Sequence, residues 1–528
     1  MMNMMRWTWV CGLTLGLGVL AGCQSGGAVE TPVDSGARLY EGFGNYERAI
    51  STDSAEAQRW FNQGMQLMYG FNHDEAIRSF EAAAAADPDA AMPWWGIAYA
   101  NGININDPAM NEARSEAAWA ATCRALLRLK DASPVERALV RAVSERYAWP
   151  IPEDRAPLDQ AYADAMQKAY EAFPDDPDVG ALFAESLMNL QPWDYWDNEG
   201  NAKGRAAEFV QVLEGVLADT PRHPGANHFY IHAVEASNDP DRAVAAAERL
   251  ESLVPGAGHL VHMPSHIYIR VGRYADAVDS NADAVAADRD AIKAARDLEA
   301  EMPKDALEAY AGLIEGIMPT TFHVMIRFGK WEKILAEPEY EGDYRLVSKA
   351  VRRYARSIAY SALGDTENAR AELAAFEYAM ASVPGEWYMF NNQVSTVLPI
   401  AEAMIKGELL FREGKHDEAF AILRKGAEAE DALVYDEPPG WMLPVRHALG
   451  ALLMSAERYV EAEQVYREDL ERNRNNGWGL LGLKQSLMAQ GRMDEAFALE
   501  PAVAEAWEKA DVMPTSSCYC EPGEVVAR

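Results

Sequence analysis

The sequence predicts an all-α fold of stacked antiparallel helix pairs, and three observations predict it. The 528 residues are dominated by Ala-rich stretches, with no run of alternating β-branched residues. Gly-x-x-x-x-Ala and Asp-Pro breaks interrupt these stretches as helix ends and turns should. A pattern of large, small and proline positions then returns about every 34 residues. With 49% hydrophobic residues the chain is long enough to bury several cores. Its 48 Lys+Arg against 82 Asp+Glu leave a formal charge of −34, which argues against nucleic-acid binding through phosphate neutralisation.

Taken in order, residues 1–23 read MMNMMRWTWVCGLTLGLGVLAGC: one positive residue, Arg6, an apolar run, then a small-residue site. That order is an export signal, and the run is too short for a membrane span. Leu20-Ala21-Gly22-Cys23 resembles the bacterial lipobox, which implies cleavage between Gly22 and Cys23 and a diacylglycerol on the Cys23 thiol. The mature chain then begins with a Gly/Ser/polar-rich stretch, 23–50, expected to be a lipidated flexible tether. Gln24 stands where inner-membrane-retained lipoproteins carry aspartate, so the resemblance implies the outer membrane, facing the periplasm.

The stretch WFNQGMQLMYGFNHDEAIRSFEAAAAADPD sets the helix-pair pattern: Trp60, Gly64 and Leu67 on one helix, Ala76, Phe80 and Ala83 on the next, and Pro88 past its end. Small residues at 64 and 76 let the helices approach, and Trp60 and Phe80 fill the space beside them. This is similar to the tetratricopeptide repeat (TPR). Units starting at Ala57 and Ala91, at Pro224 and Gly258, and at Leu443 and Gly477 keep the register; looser copies fall near 146–190, 315–335, 350–376 and 400–430. An extra helix near 283–313 interrupts them. The expected layout is a TPR-type α-solenoid with an N-terminal array over 51–335, a C-terminal array over 336–512 and a tail over 513–528. Such arrays curl round a concave groove, into which the loops 191–204 and 435–450 project. The chain also resembles a bacterial family of TPR lipoproteins carrying HPGANHFYIHAVEAS, GHLVHMPSHIYIRVGRY and EPPGWMLPVR, for which no activity carries over.

Ten histidines serve the whole chain, yet His228 and His232 with Glu235, and His259, His262 and His266, fall in two short segments. Spacings of i, i+4, i+7 and i, i+3, i+7 place each trio on one helix face. The TPR resemblance puts 228/232 and 262/266 at the same fifth and ninth positions of adjacent units, where such domains contact groove ligands. Helices packed 8–10 Å apart let imidazoles from both sides reach one ion. A His/Glu set suits Zn, Fe, Mn, Ni or Cu. Two other readings stay open: direct ligand binding by the imidazoles, and structural hydrogen bonding.

Weaker candidates are His323 and His447, at groove positions of later units, and Cys518 and Cys520, a soft-ligand or redox pair in the tail. Cys123 reads as a buried small apolar residue, and the thiols are too few for a disulfide framework. His73, His223 and His416 lie in turns and are expected to be solvated. No GxSxG, P-loop or HEXXH motif occurs. The leading expectation is an envelope protein, membrane-held through the lipid on Cys23, that binds a protein or peptide in its groove, with a metal ion at the histidines. The rival is a metal-dependent hydrolase or oxygen-using enzyme with Glu235 as ligand or general base.

Overall fold

The computed structural model describes residues 36–287, 308, 311–316, 318–389, 391–510, 512–518 and 526–527. Gly22, Cys23, Cys520 and most of the helix expected at 283–313 lie outside the described residues. The regular structure described is helical apart from two short antiparallel pairings, Tyr388–Met389 with Asn392–Gln393 and Val512–Met513 with Val526–Ala527, and two isolated bridges. Among the described residues no helix is long and apolar enough to cross a membrane.

The chain forms two compact units of TPR-type helix pairs. In the first, α1 (Ala55–Tyr69) pairs with α2 (His73–Ala86), followed by α3 (Ala91–Ala100), α4 (Glu112–Leu126), α5 (Pro134–Ser144), α6 (Ala156–Ala172), α7 (Pro177–Met188), α8 (Ala206–Asp219), α9 (Pro224–Val234), α10 (Val244–Leu253) and α11 (Gly258–His262). Consecutive helices pack on each other, and α9 also packs back on α1. Side-chain acceptors start several of them: Ser54 caps α1, Asn72 caps α2 and Asp176 caps α7, while Ser133 and Glu136 form a capping box on α5. Pro264, which has no N–H to donate, separates α11 from α12 (Pro264–Val271). The units part just beyond that break. The first runs to Ile267 and takes in Ser280–Asp288; the second has Tyr268–Asp279 and everything from Arg289. Packing thus divides the chain next to this proline break.

The second unit continues through α13 (Tyr274–Ala287), of which it holds the first turns, then α14 (Ala311–Ile314), α15 (Thr320–Arg327), α16 (Trp331–Ala336), α17 (Leu346–Ala362), α18 (Thr366–Ala381), α19 (Val394–Arg412), α20 (His416–Asp431), α21 (Val445–Ser455), α22 (Tyr459–Arg472) and α23 (Gly477–Ala489). One apolar core runs through it from Phe322 to Ala496.

The close-packing slot is visible in both units. A Cβ on Gly64 or Gly96 would land on the Phe80 ring, and one on Gly450 or Gly482 would land on Tyr466. Each aromatic of a second helix is thus clamped between glycines of two successive first helices. Phe61 packs on Phe80 at 5.3 Å and is wholly buried, whereas Trp60 is half-buried, so the filler is one residue later than expected.

The expected tether is also shorter. Tyr40 N–H donates to Gln63 Oε1 at 2.8 Å, Arg48 reaches Asp176 at 2.9 Å and Asp178 at 2.6 Å, and Ser51 N–H donates to Glu136 Oε1 at 2.7 Å. Asp178 is buried and also accepts from the Tyr46 and Tyr69 hydroxyls, with His223 Nε2 at 3.2 Å. Burial alone would raise the Asp178 carboxyl, but Arg48 and His223 hold it far below the usual carboxylate range. A polar stretch has no core of its own, yet its hydrogen-bonding groups can still dock on helix ends.

Candidate metal centre

Helix α9 carries half of the site. His223 caps it, its Nδ1 accepting from Ala226 N–H at 2.9 Å, and Pro224 supplies the preset first turn. Every residue from Pro224 to Val234 is buried, since α1, α8 and α10 cover the helix. The other half comes from α11 and the first turn of α12. Although Pro264 breaks the expected single helix, His262 and His266 keep their rings 4.8 Å apart.

The two segments meet. His228 and His259 rings lie 4.9 Å apart, His228 and His232 4.8 Å, His232 and His266 5.7 Å, and His259 and His262 6.2 Å. Five imidazoles therefore form a closed ring. Exposure is 0% for His228 and Glu235, 1% for His232 and 6% for His266, while His259 and His262 are half-buried and form the rim.

The hydrogen bonds fix the tautomers. His228 Nδ1 lies 2.6 Å from the Tyr69 carbonyl, which only accepts, so this nitrogen carries the proton. His232 Nδ1 donates to Glu235 Oε1 at 2.9 Å, and His266 Nδ1 to Glu235 Oε2 at 2.6 Å. With Nδ1 so tied, the neutral rings of His228 and His232 carry their lone pairs on Nε2. His259 Nε2 approaches that of His228 at 3.1 Å, and His262 Nε2 approaches that of His266 at 2.9 Å. His232 Nε2 is buried and has no hydrogen-bond partner. His262 Nδ1 faces the Asn281 amide at 2.5 Å.

Burial lowers the pKa of His228, His232, His259 and His262, and neighbouring histidines lower it further; at His232, Glu235 opposes the shift. For Glu235 burial acts upward, but His266 and His232 prevail and hold it at about 2. Burial thus favours the neutral form of these four imidazoles beside the Glu235 carboxylate, the form in which histidine binds metals.

Potential ligand atoms gather in two parts of this ring. The ligand nitrogens of His228, His232 and His259 lie within 4.8 Å of one another, as do those of His232 and His266 with a Glu235 oxygen. Neighbouring ligands on one ion are about 2.9–3.4 Å apart for Zn–N bonds of about 2.0–2.1 Å, and the facing Nε2 pairs already stand at 3.1 and 2.9 Å. The centroids of His228, His232 and His259, 4.8, 4.9 and 6.4 Å apart, lie on a circle of radius about 3.2 Å. That is roughly the distance from a bound ion to an imidazole centroid. Glu235 is not placed as a ligand or a free base in this arrangement. Both its oxygens are spent on Nδ1–H groups, the second-sphere role that orients metal-bound histidines.

Two walls of the site are aromatic and strained. Phe71 sits 4.6 Å from His228 and 5.6 Å from His259 at φ 56°, and Trp193 sits 5.1 Å from His232 at φ 64°. In five other helix-pair turns the equivalent left-handed position, two residues before the second helix, is glycine: Gly272, Gly329, Gly364, Gly414 and Gly491. A phenylalanine there costs roughly 1–2 kcal/mol. Trp193 lies in the loop expected to project into the groove, and its Nε1–H donates to the Ile105 carbonyl at 2.8 Å. Sequence reading did not single out Phe71, Trp193, Asn281 or the Tyr69 carbonyl. The missing turn glycine at 71 was a weak signal, since Glu457 holds the equivalent position at φ 60° in the second unit.

The remaining candidates lie elsewhere. His323 and His447 belong to the second unit and have their own surroundings. His323 is buried 5.0 Å from Trp441, and burial lowers it to about 4; His447 bridges Asp469 and Arg327, both at 3.0 Å. Cys518 and Cys123 are disulfide-bonded, so neither offers a thiolate. His223 is buried on Asp178 rather than solvated, and His73 is half-buried at the start of α2, because both turns fold back onto helix ends. His416 is exposed, stacked on Phe411 at 4.5 Å.

No known family matches this chain, and no curated protein does. Among solved structures the chain is similar to a human IFIT1 dimer with m7Gppp-AAAA, at 12% identity over 86% of this chain and 91% of that one, with a TM-score of 0.28. It is similar to the TPR domain of P58(IPK), at 12% identity over 83% and 99%, TM-score 0.22. Yeast Tom70 matches at 12% over 86% and 92%, TM-score 0.25. Superpositions this loose leave the argument to the helix pairs and the site themselves.

Proposed function

We propose that this is a lipid-anchored envelope protein whose first TPR-type unit holds a borderline transition-metal ion on the Nε2 atoms of His228, His232 and His259, and presents it to a protein or small ligand. The observation that carries the reading is the tying-down of Nδ1 at His228 and His232, by a backbone carbonyl and a carboxylate, which leaves both Nε2 lone pairs for an ion, that of His228 3.1 Å from His259 Nε2. Imidazole donors without thiolate favour Zn, Cu, Ni or Fe over hard ions such as Mg and Ca. Lipid on Cys23 rests on the LAGC sequence, and mass spectrometry of the mature amino terminus tests it. Elemental analysis of the full chain purified in detergent tests the metal. Near-stoichiometric metal, lost in a His228→Ala/His232→Ala variant that keeps its helical circular dichroism, is the expected result; a metal-free wild-type chain that stays metal-free when offered Zn(II) refutes the reading.

A catalytic reading is favoured by the half-exposed rim at His259 and His262, which leaves an ion one side open to water. Glu235 would then position the histidines, and any general base is another group.

A further inference from the structure

The five-imidazole ring is larger than one ion needs. Two ligands of a single ion are at most about 4.2 Å apart, twice a 2.0–2.1 Å bond. His232 belongs to two close groups, one with His228 and His259, the other with Glu235 and His266, and the second is taken up by hydrogen bonds from Nδ1–H to the carboxylate. The His228–His232–His259 trio accounts for one ion. It leaves unused a second facing pair, His262 and His266, whose Nε2 atoms stand 2.9 Å apart, at the spacing of adjacent ligands. This pair is held as firmly as the first: His266 Nδ1 is tied to Glu235 at 2.6 Å and His262 Nδ1 to Asn281 at 2.5 Å. His262 lies at the half-exposed rim, where an ion on two imidazoles keeps several positions for water or an incoming oxygen ligand.

We infer that the centre is dinuclear, with a second, weaker and more exchangeable ion on His262 and His266. The inference rests on the proposed metal reading and assigns the part of the cluster which that reading leaves over. Glu235, bonded to a histidine of each set, couples the two positions. A pair of ions at one opening is suited to a ligand with two oxygens, such as a phosphate or carboxylate group, one oxygen to each ion.

Titrating Co(II) into the chelator-stripped full chain in detergent, followed by its visible absorption and by equilibrium dialysis, reads the stoichiometry. Two ions per chain are expected, the second bound more weakly, falling to one in His262→Ala with the tight ion retained. His262→Gln, which keeps a polar group facing Asn281, serves as the second variant should alanine unfold the rim. One ion in the wild-type chain overturns this inference and leaves the mononuclear reading standing; no ion overturns both. Two ions in a folded His262 variant overturn the placement.

Discussion

At the scale of single residues, the account turns on which side chains touch an ion and which hold others in place. Glu235 is buried with both oxygens on imidazole Nδ1–H groups. Glu235→Gln preserves its size but removes the charge and leaves one amide end mismatched. Metal affinity should fall about 10–100-fold in a competition titration with a chromogenic chelator, with the far-ultraviolet circular dichroism unchanged. Phe71 tests the strained wall. Phe71→Gly restores the residue that other turns use and relieves roughly 1 kcal/mol of backbone strain, offsetting the lost ring contacts, so the melting temperature should move little. Metal transfer to a chelator should nevertheless quicken several-fold, because the ring over His228 and His259 is gone. Unchanged transfer kinetics would make Phe71 a packing residue only.

At the scale of elements, the clamp between successive first helices holds the array together. Gly64→Ala and Gly450→Ala each drive a methyl group into the aromatic ring of the facing helix. Each should cost about 1–3 kcal/mol in a denaturant melt, whereas Gly414→Ala, with open space round its Cβ but φ 76°, is strained by the backbone alone. These slots were legible because a 34-residue rhythm of small and large residues reports helix packing directly. Trp60 misled because it neighbours the true filler, Phe61, and the two are one residue apart on the same turn. The break at Pro264 overturned the expectation of one continuous helix, although a proline without an N–H was there to be seen. Its effect on the histidines was not, since ring directions after a helix break depend on how the chain resumes. The docked segment 40–51 was read as a tether because its composition is polar; its partners, Glu136, Asp176 and Asp178, are distant in sequence and invisible to local pattern.

At the scale of the whole molecule, the two units carry different pH sensitivities. In the first, His73 is lowered to about 3 and His228, His232, His259 and His262 are lowered, all with burial as the largest cause. A base with a lowered folded pKa takes up protons in the unfolded chain first. Stability is therefore full above the ordinary histidine value of about 6.5 and is lost as pH falls below it. Glu185 and Glu81, raised by burial, oppose this in the same unit, but the histidines outnumber them. In the second unit His323 is lowered to about 4, while Glu430 and Asp436, both raised to about 7, gain relative stability from acid. Hydrogen exchange on the metal-free chain should show α9 losing protection between pH 7.5 and 5.5, and α17 and α19 keeping theirs. Equal loss in both units would contradict the assignment.

The histidine pairing was the part of the site that the sequence carried best. Matching repeat positions pointed His228, His232, His262 and His266 to one place, with His259 beside them, and the structure adds the tautomers that Tyr69 and Glu235 impose. The measurement that tests this most directly is an anomalous-scattering difference map from crystals of the zinc-loaded chain, collected on both sides of the zinc edge. A peak about 2.0–2.1 Å from the Nε2 atoms of His228, His232 and His259 is the predicted result; a map with no peak inside the imidazole ring, or imidazoles still paired nitrogen to nitrogen at saturating zinc, would contradict it.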